Sequence, residues 1–274
     1  MVFVYATMTD YVICIPTFKR AVLCQKKTLT MLRAEGIASN LVNVYVADEE
    51  ERCQYEAALD PAMYGRLIVG VVGIVAQREF IVQQWEKGQH LVLLDDDVGS
   101  VDLSLHPVQD LDAFFRMAFA ECERVGSYMW GVYPTYNPYF RQGRPLVSYG
   151  LNYIIAAFHG IINRPGLASL PLRVSVSNPC KEDVERTLLY FQQDGVLVRF
   201  NRVGFRTRYY GVSGGLGTFQ ERVGPSQEAC RALLEAYLGW GKVRTRKNGM
   251  TEFRLSRIKF VDEPIPQTLV GVEP

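Results

Sequence analysis

Apolar residues along this chain follow two rhythms: short β-branched runs, and longer stretches in which apolar positions recur every three or four residues. The first hundred residues show the alternation most clearly. Tyr11-Val12-Ile13-Cys14-Ile15 reads as a strand stopped by Pro16-Thr17, and a helix follows over 21–34 with Gly36 as its stop signal. Val42–Ala47 reads as a second strand, 50–59 as a helix, Leu67-Ile68-Val69 as a third strand and 72–86 as a helix ending at Gly88. Leu91-Val92-Leu93-Leu94 is the fourth strand, and it runs directly into Asp95-Asp96-Asp97. Strands alternating with helices predict an α/β fold, with parallel strands buried on both faces by covering helices.

The second half is less regular. Leu111, Phe114, Phe115, Ala118, Phe119 and Cys122 lie on one face of a helix closed by Gly126. A strand is expected over 128–132, a tyrosine- and proline-rich loop over 133–140, and a strand over 148–158 that enters Gly160. A helix follows from the Asn178–Asp183 region to about Gln193, then β-like sequence over 196–205 and a glycine-rich loop over 211–217. The periodicity next predicts a helix over 226–238 and a basic hairpin over 242–255 that turns at Asn248-Gly249. No internal repeat or linker interrupts the chain, so residues 1–274 read as a single domain.

Composition bounds the picture further. The chain is 48% hydrophobic and 22% charged, ordinary for a globular protein with a sizeable core. No uncharged apolar run reaches the roughly 18 residues of a membrane span, and Met1–Thr9 lacks the basic start of a signal peptide. The six cysteines are scattered without a CxxC pair. They are expected as buried free thiols in a reducing cytoplasm, with no zinc site. The net charge of +1 conceals an uneven distribution: residues 199–259 hold 13 Lys and Arg against 4 Asp and Glu. A basic end of this kind suits an anionic partner, although a solvated basic face is the simpler alternative.

The candidate chemistry gathers at predicted strand ends. Ligands of open α/β sheets bind beyond the carboxyl ends of the strands. Three adjacent carboxylates are costly to bury, so they are expected just outside that edge. Asp95 and Asp97, spaced to share one side of an extended chain, can converge on a divalent cation carrying a diphosphate, while Asp96 points the other way. Pro16, Thr17, Arg20 and Asp48 fall on the same edge. Arg78 can reach a phosphate or base, or simply pair with Glu79 or Glu86. Glu182 and Asp183 open a helix, where the dipole alone favours carboxylates; Glu182 is also kept as an acceptor contact. The functional alternative makes Asp183 a general base that deprotonates an acceptor hydroxyl. Gly214 and Gly215 can cradle phosphate through backbone amides or form a plain loop. Arg208, Arg244, Arg246 and Lys247 can track a phosphate backbone. Trp130 and Tyr136 can stack on a base, with core packing the favoured role for Trp130. His159 and the adjacent Gly160 are kept as acceptor contacts.

Taken together, IPTFKR after the first strand, GIVAQREF, LLDDDVGS, KEDVERTLLYF and YYGVSGGLG resemble a GT-A glycosyltransferase. More narrowly, they are similar to the DNA glycosyltransferases of phages associated with thymine and 5-methylcytosine dioxygenases. The resemblance covers roughly Val12 to Gly217. It implies a GT-A type, Rossmann-like mixed sheet with flanking helices and a C-terminal basic helix and hairpin region. Residues 1–100 would form the nucleotide-sugar-binding half, 101–225 the acceptor and catalytic half, and 226–274 a basic extension. It also implies a UDP-sugar donor, Mn²⁺ or Mg²⁺, and hydroxymethylated pyrimidine in DNA as acceptor. By position, Asp97 becomes the metal ligand, Asp95 a ribose or metal contact and Asp183 the base of an inverting reaction. Pro16, Thr17 and Arg20 line the uracil–ribose pocket, with Arg78 near the nucleotide. Many such enzymes supply a late histidine to the metal, and this chain has none after His159. A cytoplasmic protein without membrane or protein partners is expected. A sugar transferase with a saccharide or small-molecule acceptor, and an inactive DNA-binding relative, are the competing readings.

Overall fold

The computed structural model describes residues 11–164, 172–207 and 217–258. Its first half holds four parallel strands: β1 (Val12–Pro16), β2 (Val42–Val46), β3 (Arg66–Val69) and β4 (His90–Leu94). They stand in the order β3-β2-β1-β4. The chain therefore steps outward from β1 to β3, then returns to the other side of β1. The crossovers are helical. The first comprises α1 (Ala21–Cys24) and α2 (Thr30–Ala34), joined by a π-turn over Gln25–Leu29. The others are α3 (Glu49–Ala58) and α4 (Ile74–Gln83).

Beyond β4 the sheet changes direction. β8 (Phe158–Ile162) lies antiparallel between β4 and β6 (Met129–Val132). β9 (Val198–Phe200) runs parallel to β6, and β7 (Val147–Tyr149) forms the far edge, antiparallel to β9. The result is an eight-stranded mixed sheet in an α/β fold. A small ladder pairs β5 (Ser100–Asp102) with β10 (Gly204–Arg206). The basic hairpin forms as expected, from β11 (Gly241–Thr245) and β12 (Thr251–Leu255).

Coverage of both faces explains the unbroken apolar runs. Ile13, Ile15, Val92 and Leu94 enter one core, and Val12, Cys14, Leu91 and Leu93 enter another on the opposite face. The first core is centred on α5 (Leu111–Val125), which buries all six apolar residues its periodicity marked. Five phenylalanine rings, from Phe114, Phe115, Phe119, Phe158 and Phe200, surround the fully buried Trp130. The second core takes α6 (Glu182–Asp194), α7 (Phe219–Ala236) and Phe253 of the hairpin.

Three expectations about elements need correction. The strand read over 148–158 is two strands, β7 and β8, separated by irregular residues 150–157 that pass the carboxyl end of β4. The β-like run over 196–205 breaks at a turn over Asn201-Arg202. The helix expected from Ser226 starts at Phe219 and contains Pro225. A capping box between Thr218 and Glu221 satisfies the amides at that start and outweighs the Gly-Pro stop signal. Four cysteines are buried as expected, but Cys53 is exposed and Cys180 half-buried. Among the described residues, no helix is long and apolar enough to cross a membrane.

Candidate functional site

The switch in strand order falls between β1 and β4, and ligands of open α/β sheets bind in the crevice such a switch leaves. Pro16-Thr17 leaves one side of this crevice and Asp95-Asp96-Asp97 the other. The acids are less exposed than expected. Asp96 and Asp97 are buried and Asp95 half-buried, because each carboxylate has its own protein partner. Thr17 donates to Asp96 at 2.6 Å and accepts from the Tyr55 phenol, which itself accepts from the Arg20 amide at 2.9 Å. The Arg20 guanidinium also reaches Asp96, at 3.3 Å. Burial pushes the Asp96 carboxyl up to about 7 against the opposing pull of Thr17 and Arg20. Asp97 accepts from the Thr207 hydroxyl, just past β10. Asp96 and Asp97 lie in a turn, so strand alternation does not govern them; Asp95 and Asp97 meet different partners. Thr28 of the π-turn fixes the turn from below, donating to the Asp95 carbonyl at 2.7 Å and accepting from the Val98 amide at 3.0 Å.

Arg78 on α4 connects this turn to the second half of the chain. It is 3% exposed, pairs with Asp95 at 2.7 Å and also pairs with Glu182 on the first turn of α6. Its partners are these two acids, where local sequence offered Glu79 and Glu86. Arg186 meets the other oxygen of Glu182 at 3.1 Å. Glu182 is thus enclosed by two arginines at 4% exposure, which corrects its reading as an acceptor contact. Asp183, its neighbour, is half-buried and accepts from the Tyr153 phenol and the Val184 amide. Tyr153 sits in the irregular segment between β7 and β8, so that segment holds the candidate base. Neither Tyr153 nor Thr207 stands out in the sequence.

A cavity of about 870 Å³ opens beside the end of β1, lined by Phe18, Lys19, Arg20, Asp48, Tyr55 and Val72 among others. It brings Arg20 and Asp48 together, while Thr17 is buried behind them. Asp48 also caps α3 by accepting from the Glu51 amide at 2.8 Å. Glu51, absent from the expected site, accepts from the Lys19 and Ala47 amides at 2.6 and 3.0 Å and fixes the wall of the cavity.

Other expected contacts belong elsewhere. Trp130 is fully buried among the phenylalanines and offers no surface to a base. Gly160 lies under its indole, where an added Cβ would come within 2.2 Å of the ring, so this glycine is a packing residue. His159 is 1% exposed and its Nδ1 faces the Ala156 carbonyl at 2.9 Å. Burial, reinforced by the Arg78 and Arg186 cations, holds its imidazole well below the ordinary value and therefore neutral. Gly160 and His159 are thus corrected as acceptor contacts, and Trp130 takes the core role favoured for it over stacking on a base. Tyr136 is half-buried under the Arg206 guanidinium, 4.4 Å from its ring centre. Arg244, Arg246 and Lys247 are exposed on the hairpin, with Arg246 paired to Glu252. Arg208, Gly214 and Gly215 lie outside the described residues.

Among the described residues, no three His, Cys, Asp or Glu groups converge on a metal site. Asp95 and Asp97 place carboxylates just past the strand end, Asp95 against Arg78 and Asp97 against Thr207. One or two carboxylates plus the phosphates of a substrate is the way hard cations such as Mg²⁺ are commonly held. The donor set is compatible with a cation that arrives with a diphosphate.

No family model matches the sequence, and no curated protein matches it. Among solved structures, Staphylococcus aureus TarS 1-349 is similar with a TM-score of 0.44 and 12% identity, over 82% of this chain and 65% of that one. A mycobacterial protein is similar with a TM-score of 0.43 and 10% identity, over 94% and 87%. The apo-form glycosyltransferase GlyE of Streptococcus pneumoniae TIGR4 follows with 0.31 and 14%, over 68% and 44%. This chain thus spans less than two-thirds of the TarS and GlyE chains. Likenesses this remote assign no activity.

Proposed function

We propose that this protein is a glycosyltransferase that moves a hexose from a UDP-sugar, UDP-glucose in the first instance, to the hydroxymethyl group of a modified pyrimidine in DNA. One observation carries the reading. The triple aspartate lies at the β1–β4 switch point and is tied through Arg78 and Glu182 to the helix that presents Asp183. A donor-holding acid turn and a candidate base are thereby joined by one buried network.

In this reading the base and ribose occupy the cavity beside Arg20 and Asp48, whose volume suits a ligand of that size. Asp97 and Asp95 would hold Mn²⁺ or Mg²⁺, which when bound offsets the charge of the leaving diphosphate. Asp183 takes the proton of the acceptor hydroxyl as that oxygen bonds to the anomeric carbon. The bond from that carbon to the diphosphate breaks on the opposite face, its electron pair leaves with the diphosphate, and the configuration inverts. Tyr153 orients the Asp183 carboxylate for this step. A pyrimidine inside a duplex is out of reach, so the acceptor base is flipped out or single-stranded.

The test is incubation with UDP-glucose, Mn²⁺ and DNA containing 5-hydroxymethylcytosine or 5-hydroxymethyluracil, followed by mass analysis of the nucleosides. A gain of one hexose is expected, and Asp97→Ala and Asp183→Ala should each abolish it. No transfer to either base from any common UDP-hexose overturns the acceptor assignment. Near-normal turnover by Asp183→Ala overturns the base.

A further inference from the structure

The sequence directs attention to the basic segment 199–259, hairpin included, as the place for DNA. The structure offers a surface outside the hairpin that is bonded to both the acid turn and the segment holding the candidate base. Four arginines lie close together: Arg199 on β9, Arg202 in the turn after it, Arg206 at the end of β10 and Arg144 in the loop between β6 and β7. Among the described residues none of them meets a carboxylate. Arg144 donates to the Phe140 carbonyl at 2.7 Å, and Arg202 donates to the Arg144 carbonyl at 2.9 Å. Arg199 donates to Asn201 at 2.9 Å and to the Tyr153 carbonyl at 3.4 Å. Arg144 and Arg199 both lie over the ring of Tyr133, at 4.4 and 5.3 Å. The nearby Asp102 does not neutralise them, because it is taken by the fully buried Arg141 and by the Ser104 amide. Burial pushes the Arg199 guanidinium down to about 10, with its neighbour Arg144 adding to the effect; it remains charged at neutral pH.

The same loop carries Tyr139 and Phe140, which are 72% and 53% exposed. Their rings touch edge to face with centroids 5.3 Å apart. Exposed aromatics beside arginines that lack carboxylates form the combination single-stranded nucleic acids require: cations for phosphates and flat rings for unstacked bases. The patch also spans the proposed site. The Arg206 carbonyl accepts from the Gly99 amide at 2.8 Å, just past the acid turn, and Thr207 bonds Asp97. At the other end Arg199 holds the carbonyl of Tyr153, whose phenol bonds Asp183.

We infer that this arginine and aromatic edge binds the acceptor as a single strand, with Arg144, Arg202 and Arg206 on its phosphates and Tyr139 and Phe140 stacked on flanking bases. The inference rests on the transferase reading for the word acceptor, but strand binding itself is measurable without it. Fluorescence anisotropy with a labelled, unmodified single-stranded oligonucleotide and no donor gives affinity and its salt dependence. The triple variant Arg144→Gln, Arg202→Gln, Arg206→Gln should weaken binding at least tenfold and reduce the salt slope by about 2, at ~0.7 per single-strand phosphate. Tyr139→Ala with Phe140→Ala alters only exposed rings and should also weaken binding about tenfold. The hairpin variant Arg244→Gln, Arg246→Gln, Lys247→Gln should bind within about twofold of wild type. If the hairpin variant loses binding and both edge variants keep it, the inference is overturned, and it is equally overturned if wild-type protein does not bind the strand. Strand binding through the edge without sugar transfer to any acceptor would leave this inference standing and remove the transferase reading. Transfer to DNA that both edge variants perform at the wild-type KM would do the reverse.

Discussion

Replacing Arg78 with methionine removes the cation that links the acid turn to α6. The three side chains concerned differ in exposure: 4% for Arg78, 35% for Asp95 and 5% for Glu182. Asp95 can regain water when its partner leaves, so its share of the loss is small. Glu182 cannot, and stripping one partner from a buried ion pair typically costs about 3–5 kcal/mol. Arg186, still 3.1 Å from Glu182, offsets part of that cost, so the expected loss lies near the lower end, about 3 kcal/mol. Urea denaturation at neutral pH measures it as a shift in midpoint at constant slope. The double variant Arg78→Met, Glu182→Gln removes both the cation and the carboxylate that needs it. It should lose about 2 kcal/mol less than the sum of the single variants, since residues sharing one network couple by up to ~3 kcal/mol. A loss below about 1 kcal/mol for Arg78→Met, or additivity in the cycle, would show that the network does not join the two halves as described.

Other perturbations test separate parts of the molecule. Thr17→Val keeps the shape of the side chain and breaks the relay from Tyr55 to Asp96, so urea titration should show a loss of about 2–3 kcal/mol, one of the two bonds being to a carboxylate. Asp48→Ala removes the α3 cap and should cost about 1 kcal/mol, whereas Asp48→Ser should restore it; recovery of stability without recovery of donor KM would mark Asp48 as a donor contact as well. Gly160→Ala drives a methyl into the Trp130 indole and should lower stability by about 1–3 kcal/mol, with a changed near-ultraviolet dichroism from the aromatic core. Asp194 supplies a pH test: burial raises its carboxyl from 3.8 to about 6 despite the contact with Arg164. The folded state therefore favours its protonated form, and that contribution is complete below 3.8 and lost as pH rises through about 6. Relative to wild type, Asp194→Asn should gain roughly 3 kcal/mol between about pH 4 and pH 7, and a flat difference across that window would refute the assignment.

The parts of the fold legible from sequence are those whose burial is simple. β1 and β4 read directly because both faces are covered and the whole run is apolar, and α5 reads directly because one face alone is. The hairpin reads from its Asn-Gly turn, where Gly249 adopts a positive φ of 87°. The three-residue strands β5 and β10 carry no such pattern, since their pairing depends on a partner a hundred residues away. The same distance problem hides the site's partners. Thr207 and Asp97 are 110 positions apart, and Tyr153 and Asp183 are 30 apart. A threonine or tyrosine in an irregular segment gives no local sign that a carboxylate lies opposite it. Gly160 and His159 failed as acceptor contacts for a related reason, whereas Trp130 takes the core role its sequence favoured. A strand end looks accessible in sequence, but β8 is flanked on both sides by other strands and covered by an aromatic core.

Helix geometry separates the two adjacent acids at the start of α6. Successive residues on a helix point about 100° apart, so two adjacent acids in a first turn face different surroundings. Glu182 turns inward between Arg78 and Arg186, where its charge is needed to balance two buried cations. Asp183 turns toward Tyr153 and stays partly open to solvent. The acid turn after β4 divides its labour in the same way. Asp96 is committed to Thr17 and Arg20 and holds the end of β1, which leaves Asp95 and Asp97 flanking the crevice. In both places a run of like charges persists because each member has its own partner in the fold. The carboxylates are then fixed in position, and pre-set geometry of this kind is what the proposed group transfer would draw on.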